Sequence, residues 1–85
     1  MKIQTAWPFE RDYNALPKLI KDQADKQFAL LLENPHHPSL RVKKIKGHPS
    51  IFEGRVTKSY RFTFQISGEI YMLRRIGTHD VLKTP

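Results

Sequence analysis

The chain contains no cysteine among its 85 residues. Disulfide bonds and thiolate metal sites therefore cannot supplement its core, which is typical of proteins from a reducing compartment. The sequence also has no apolar run of signal-peptide length near Met1, and no segment approaches the roughly 20 apolar residues of a membrane span. These absences predict a cytoplasmic protein without a membrane segment.

The short chain limits the architecture that the residues can form. A chain of this length buries only about 60–65% of its unfolded surface, in one thin core. Residues 1–85 are therefore predicted to form a single domain, with one layer of helix on one layer of sheet.

The net charge of +7 is unevenly distributed along the chain. Residues 1–33 hold five basic and five acidic side chains, whereas residues 34–85 hold ten basic and three acidic ones. A neutral first part followed by a strongly basic part favours a surface that binds a polyanion such as RNA. The alternative is a basic surface that only keeps the protein in solution.

The first part of the chain predicts one short strand and two helices. Alternation over Ile3–Trp7 predicts a strand that Pro8 ends, because proline cannot donate to a strand ladder. Apolar spacings of four and three predict a helix over Phe9–Leu16, and Pro17 suits the first turn of a second helix. That second helix has an apolar stripe formed by Leu19, Ile20, Ala24, Phe28, Leu31 and Leu32.

After the loop Asn34–Pro38 the apolar period changes from 3.6 to 2, which is typical of strands. Four strands are predicted: Leu40–Ile45, Ile51–Val56, Tyr60–Ile66 and Glu69–Ile76. Their connections are too short for anything but antiparallel hairpins. The predicted fold class is α+β, with two N-terminal helices packed on one face of a small, mainly antiparallel sheet of four to five strands.

The third of these strands shows the clearest alternation. It predicts a core face formed by Tyr60, Phe62, Phe64 and Ile66, and a polar face formed by Arg61, Thr63 and Gln65. Its aromatic residues and Trp7 are assigned to the core.

Basic residues lie on several of the predicted strands and should converge on one patch, because neighbouring strands are only about 4.8 Å apart. Arg55 and Arg61 are the strongest candidates, since a guanidinium in an apolar strand must lie on the outer face or be paired, and it suits bidentate phosphate contact. The candidates for contact with flanking RNA are Lys43, Lys44, Lys46 and Arg75. The alternative for any single lysine among them is a solvated surface charge without an RNA contact.

The run from Arg74 to Asp80 forms a second candidate site. Gly77 lets the backbone turn at the end of a strand, and His79 can exchange a proton near neutral pH. Asp80 either orients the site or only begins a last short helix, with His79 packed at the strand end. The three other histidines lie in proline-containing loops without metal-ligand spacing, so neither a metal nor a cofactor is predicted.

The ordered segments "NPHHPSLRVKKIKG", "IFEGRV", "YRFTF" and "IYMLRRIGTHD" resemble the RelE/ParE superfamily of toxins, and the final Gly-Thr-His turn is similar to that of its YafQ branch. The resemblance spans almost the whole chain. It implies the RelE-like fold and a toxin that cleaves messenger RNA on the ribosome without a metal. It also implies a cognate antitoxin as the protein partner.

The resemblance assigns roles to individual residues. Arg61 matches the family's phosphate-contacting arginine, Arg55 lies where relatives have a catalytic Lys or His, and His79 lies where relatives have an Arg or the YafQ-type His. Glu53 occupies a position that is basic in some relatives, so its carboxylate either acts as a base or repels phosphate. Residues 80–85 contain no aromatic side chain, which relatives often have there.

A second class of function stays open at this point. A ParE-like toxin that acts on DNA gyrase, or a non-catalytic member that only binds antitoxin and nucleic acid, would not need the set Arg55, Arg61 and His79. RNA cleavage would need all three.

Overall fold

Two helices and five strands make up the structure, a computed structural model that describes residues 1–85. The elements in chain order are β1 (Lys2–Thr5), α1 (Trp7–Asn14), α2 (Lys18–Glu33), β2 (Lys43–Ile45), β3 (His48–Arg55), β4 (Tyr60–Ser67) and β5 (Ile70–Thr78). Two 3₁₀ turns, Pro38–Leu40 and His79–Leu82, precede β2 and follow β5. Neither helix is long and apolar enough to cross a membrane.

The strands form one sheet in the order β1-β5-β4-β3-β2. The edge strand β1 runs parallel to β5, and all other neighbours are antiparallel, as their short connections require. The predicted α+β class and its mainly antiparallel sheet are thus confirmed. The strand predicted over Leu40–Ile45 is shorter than expected, because Pro38 begins a 3₁₀ turn that includes Leu40.

The core lies between the helices and one face of the sheet. Phe62 and Phe64 of β4 are fully buried there, and the ring of Phe28 from α2 meets Phe62 nearly edge-on with a centroid distance of 5.1 Å. The helices also supply the buried residues Phe9, Ala24 and Leu31. Burial of these side chains is the main stabilising contribution in so small a sheet.

Four residues assigned to the core or to the apolar stripe from the sequence are exposed: Trp7, Leu19, Leu32 and Ile66. Trp7 belongs to α1 rather than to the first strand, and 70% of its surface is exposed. It precedes the buried Phe9 by two positions, which places it about 200° away around the helix. Leu19 lies about 140° around α2 from the buried Ala24 and is likewise exposed. The core predictions for Trp7 and Leu19 were wrong for this geometric reason.

A β-bulge changes the alternation of β5. Thr63 of β4 pairs with Arg75 but the next residue, Phe64, pairs with Leu73, so Arg74 has no partner on β4. The extra residue shifts the phase of the strand. Leu73 and Ile76 therefore both face the core although three positions separate them.

The alternation predicted a uniformly polar outer face for the sheet, but in the structure this face is only partly polar. Residues 79–85 fold across it, with Val81 buried against the sheet and the main-chain oxygen of Pro85 accepting a hydrogen bond from the Thr63 hydroxyl at 3.2 Å. Thr63 is consequently fully buried, and Ile66, predicted to lie in the core, is half exposed near the end of β4. The C-terminal segment thus divides the outer face into two open regions.

β1 pairs with β5 only as far as Leu73, and beyond that point the carboxylate of Asp12 from α1 bonds to the free edge of β5. Its Oδ2 accepts hydrogen bonds from Arg75 Nε at 2.6 Å and from the backbone N–H of Ile76 at 3.2 Å. Burial raises the pKa of Asp12, but the hydrogen bonds from Arg75 and Ile76 and the charge of Arg75 outweigh this effect and lower the pKa below its ordinary value. The carboxylate therefore ties α1 to the sheet.

We expect Asp12→Asn to lower the free energy of unfolding by about 1–3 kcal/mol at pH 7, because a charge-assisted hydrogen-bond pair is weakened. A carboxyl with a lowered folded-state pKa stabilises the protein above its unfolded pKa and loses that contribution as the pH falls. The deficit should therefore shrink below about pH 4 in urea titrations. Asp22→Asn is the control, since Asp22 forms only an exposed pair with Lys18 and should change stability by less than about 0.5 kcal/mol. A deficit independent of pH would contradict the assigned role.

Candidate functional site

A depression of about 390 Å³ opens on the face of the sheet opposite the helices. We call it the basic pocket, and its lining residues are Arg41, Val42, Lys43, Glu53, Arg55, Arg61 and His79. Four of these seven residues are arginines or lysines, which carry a positive charge, and one, Glu53, is a carboxylate. The pocket therefore combines strong positive charge with two groups that can exchange protons.

Arg55 of β3 and Arg61 of β4 face each other directly across the two strands. Like charges in opposite positions of an antiparallel pair destabilise a sheet, so this arrangement is unfavourable until an anion lies between them. Arg61 is held in place because its Nη1 donates to the carbonyl oxygens of Thr57 at 2.8 Å and Lys58 at 2.9 Å, in the turn between the strands. Its remaining N–H groups are available to a ligand.

The Arg55 guanidinium has an unsatisfied donor in this pocket. Its Nε is buried and has no hydrogen-bond partner. Desolvation, followed by the charges of Arg61 and Arg41, lowers the pKa of Arg55 below its ordinary value, and Glu53 opposes the shift. A buried donor without an acceptor is costly, so a movement of the Arg55 side chain that brings Nε to an acceptor oxygen would be favourable.

Gln27 fixes the backbone that carries Arg55. Its amide Nε2 donates to the carbonyl oxygen of Arg55 at 2.8 Å and to that of Ser39 at 3.3 Å. One side chain of α2 therefore ties both β3 and the loop before β2 to the helix layer. The hydrogen bond is a positioning contact on the far side of the sheet from the basic pocket.

His79 reaches the basic pocket through a close contact of the segment that follows β5. A Cβ atom on Gly77 would lie 2.9 Å from Cγ1 of Val81, so the absence of a side chain there lets the 3₁₀ turn His79–Leu82 approach the sheet. Gly77 is also the cross-strand partner of Arg61. The imidazole is thereby placed in the same pocket as the two arginines.

Glu53 is the carboxylate of the basic pocket. It lies two positions before Arg55 on the same face of β3, opposite Lys43 of β2, and none of the salt bridges of the chain includes it. Asp80, by contrast, does not line the pocket, and its carboxylate is exposed 3.7 Å from Lys83 Nζ. Of the two acidic candidates, the structure brings only Glu53 close to the arginines.

The remaining predicted RNA contacts lie outside the pocket. Lys44 and Lys46 are exposed on and after β2, and Lys44 points to the opposite face from Lys43. Arg75 is bound to Asp12 and also donates to the hydroxyl of Thr84 at 3.2 Å. The pocket therefore unites Lys43, Glu53, Arg55, Arg61 and His79, whereas Lys44, Lys46, Arg75 and Asp80 lie elsewhere on the surface.

Arg41 is a pocket residue that the sequence did not single out. It follows the first 3₁₀ turn in the left-handed conformation, with φ of 46°. This conformation costs a residue other than glycine roughly 1–2 kcal/mol and here directs a third guanidinium towards Arg55. Glycine or asparagine normally marks such a position, so the sequence had no signal for it. No three His, Asp or Glu side chains of the chain cluster in a way that could hold a metal ion.

The solved structures on which this chain superposes include toxins and antitoxin-toxin complexes. YafQ from E. coli strain BL21(DE3) superposes with a TM-score of 0.78 over 94% of both chains at 16% identity. The YoeB/ParE toxin from Agrobacterium tumefaciens gives 0.79 over 93% of this chain and 99% of that one, also at 16% identity. The RelB-RelE antitoxin-toxin complex from Methanococcus jannaschii gives 0.74 over 94% of both chains at 20% identity.

These superpositions cover nearly the whole chain, and they confirm the predicted resemblance at the level of the fold. The protein has the α+β fold of the RelE/ParE superfamily of toxins, and YafQ is among the toxins whose structures it matches. Comparison with protein-family models and with curated protein sequences finds no match. At 16–20% identity the activity has to be argued from the site itself.

Proposed function

We propose that this protein is the toxin of a toxin–antitoxin pair and that it cleaves messenger RNA on the ribosome without a metal ion. The observation that carries the proposal is the basic pocket, in which three guanidinium groups, a carboxylate and an imidazole line one depression of the sheet. Such a set can bind a phosphodiester and move protons to and from it. The RelE-like fold agrees with this function, since similar structures are RelE and YafQ toxins.

The scissile phosphate is assigned to Arg55 and Arg61. The repulsion from their direct opposition across β3 and β4 is relieved when two phosphate oxygens lie between the guanidinium groups. Arg41 is close enough to Arg55 to affect its pKa and can contact the same phosphate. Fixed cations of this kind stabilise the charge that grows on a phosphate in the transition state.

The proton transfers are assigned to Glu53 and His79. The 2′-hydroxyl gives its proton to one base while its oxygen forms a bond to phosphorus, and the bond from phosphorus to the 5′-oxygen breaks as that oxygen receives a proton. The products are a 2′,3′-cyclic phosphate and a 5′-hydroxyl. Glu53 is the acceptor in this scheme and His79 the donor, since they enter the pocket from different elements, β3 and the turn after β5.

Cationic residues around the pocket are proposed to hold the flanking RNA. Lys43 lines the pocket and the exposed Lys46 follows β2. Lys44 points to the opposite face, and its flexible side chain reaches the RNA only around the sheet edge that β2 forms. They contribute point charges to the phosphate backbone rather than sequence recognition. Arg75 contacts RNA in this scheme only with the groups that Asp12 and Thr84 leave free.

The partner protein is proposed to be a cognate antitoxin. A groove of about 640 Å³ lies beside the basic pocket, with apolar side chains that include Phe52, Ile66 and the exposed Met1. Arg41 lines both the groove and the pocket. An acidic, amphipathic antitoxin segment would bury apolar side chains in the groove and place a carboxylate on Arg41, where it competes with RNA. Structures with the same fold include the E. coli DinJ-YafQ toxin-antitoxin complex.

A short pulse of expression followed by primer extension on several messenger RNAs tests the proposed activity. We expect new 5′ ends at positions in phase with codons, and none after the same pulse of Arg61→Ala, which lacks a phosphate-binding guanidinium. Coexpression of the reading frame adjacent to this one should suppress the cuts if that frame encodes the antitoxin.

The same experiment separates the proposed activity from the second class of function. Intact messages accompanied by DNA damage would indicate a toxin that acts on gyrase. Intact messages and undamaged DNA, with retained binding to an adjacent-frame protein, would indicate a non-catalytic member. Either result would overturn the proposal of RNA cleavage.

A further inference from the structure

An exposed tryptophan lies on the other side of the C-terminal segment from the basic pocket. Trp7 is the first residue of α1, and it is the only tryptophan of the chain. The guanidinium of Arg11, one helical turn later, lies 5.3 Å from the centre of the Trp7 ring. This cation–π contact fixes the ring on the surface while most of its area remains open to solvent.

Arg11, which contacts this ring, also lines a second cationic depression, of about 460 Å³. We call it the arginine groove, and its lining residues are Ala6, Pro8, Arg11, Arg74, Arg75, Thr84 and Pro85. Arg74 is the unpaired residue of the β5 bulge, and it is held by bonds from Nη1 to Gln65 Oε1 at 2.7 Å and from Nε to the main-chain oxygen of Pro85 at 3.1 Å. Its Nη2 makes no hydrogen bond within the chain and remains available to a ligand. The groove thus presents an oriented guanidinium, and Arg11 connects the groove to the Trp7 ring.

We propose that Trp7 and the arginine groove form a second contact surface for single-stranded RNA, in which a base stacks on Trp7 and the adjoining phosphate binds Arg74. The combination of an open aromatic face with fixed cations is what binding of unpaired nucleotides requires, because each base has a face that can stack and each linkage has a negative charge. The choice of RNA as ligand rests on the proposed function of the basic pocket.

The charges of the groove favour a nucleic acid over a protein segment. Three arginines converge there, and Asp12 is the one acidic side chain that contacts them, on Arg75 and Arg11. An apolar partner helix would need a broad hydrophobic face, whereas the apolar lining of the groove consists only of the small side chains of Ala6, Pro8 and Pro85. A strand of RNA needs only the ring and the cations.

The two cationic depressions are close enough for one RNA strand to occupy both. His79 lines the basic pocket and Pro85 lines the arginine groove, so residues 79–85 form the ridge between them. A segment of this length that begins with a 3₁₀ turn cannot separate its ends by more than roughly 17 Å. A few nucleotides suffice to cross that distance, so the ridge would lie beneath the bound strand.

The single tryptophan makes the contact directly measurable. We propose titrating the protein with 2′-O-methyl decauridylate, which cannot be cleaved, while recording Trp7 fluorescence and, with a 5′-labelled copy, the anisotropy of the RNA. Quenching of Trp7 should follow the same binding curve as the anisotropy. Trp7→Ala should weaken binding about 5- to 150-fold, the effect expected for one stacked base. Arg74→Ala should weaken it and reduce the slope of log affinity against log salt by about 0.7.

Leu19→Ala is the matched control, because Leu19 is as exposed as Trp7 but lies on α2. It should leave RNA affinity unchanged. Trp7 emission that stays constant while the RNA saturates, an absence of RNA binding, or equal quenching by poly-glutamate would each overturn the proposal. Cleavage of messengers is not needed for any of these readouts. Loss of quenching with intact cleavage would refute this surface alone, and quenching without cleavage would refute the proposed activity alone.

Discussion

Replacing His79 by alanine is expected to lower the rate of messenger cleavage on ribosomes by about 10²- to 10⁴-fold, the usual contribution of a positioned acid or base. The imidazole lies in the basic pocket with Arg55 and Arg61, and no other histidine lines that pocket. Removal of the side chain leaves the phosphate-binding groups in place. Single-turnover cleavage of a programmed ribosome, with RNA affinity measured in parallel, should therefore show a slow reaction with nearly unchanged binding.

The control for this prediction is His48→Ala. His48 begins β3 and does not line the pocket, so its removal should leave the rate unchanged. Thermal unfolding monitored for both variants separates loss of chemistry from loss of folding, because His79 is exposed and contributes little to the core. Cleavage by folded His79→Ala at the rate of the unsubstituted protein would remove His79 from the mechanism and leave Glu53 as the only assigned proton-transfer group.

Gly54→Ala should be the most destabilising conservative change in the sheet. A Cβ on Gly54 would clash with Cζ of Phe62, whose ring is fully buried and held between Phe28 and Phe64. We expect a loss of about 3 kcal/mol, the upper part of the range for an overfilled core. In a domain of this size that loss corresponds to a fall in Tm of roughly 12–24 °C.

Gly68→Asn is the matched control for the sheet glycine. Gly68 has a φ of 59° in the turn between β4 and β5, and nothing lies within 4 Å of the position of its Cβ. Asparagine tolerates this left-handed conformation, so the variant should unfold within a few degrees of the unsubstituted protein. A Gly54→Ala protein that unfolds as late as Gly68→Asn would contradict the contact between Gly54 and the Phe62 ring.

Much of the candidate site was predictable because strands impose a simple rule on their side chains. Arg55 and Arg61 stand in short, alternating, mostly apolar strands, so each had to lie on the outer face, and the hairpin between them brought them into opposition. His79 could be placed near them only through the family resemblance. The approach of its turn depends on Gly77 and Val81, a contact between residues four positions apart that has no periodic signal.

Other parts of the site depend on contacts between residues distant in the chain. Arg75 looked equivalent to Arg74 in the sequence, but Asp12, 63 positions earlier, binds it. Arg41 enters the basic pocket through an unusual backbone conformation rather than through strand alternation. Gln27 supports Arg55 from the helix layer, and a single glutamine in an amphipathic helix gives no sign of such a role.

The sequence by itself determined the order and type of the elements, the α+β class, the concentration of positive charge after residue 33 and the position of Arg55 and Arg61 on the outer face of the sheet. These features follow from local periodicity and from connections too short to allow other pairings. Only the tertiary structure decided that residues 79–85 divide the outer face into two cationic regions, that Asp12 neutralises Arg75, and that Trp7 lies exposed beside Arg11. Those outcomes depend on how segments far apart in the chain pack together, which local patterns do not encode.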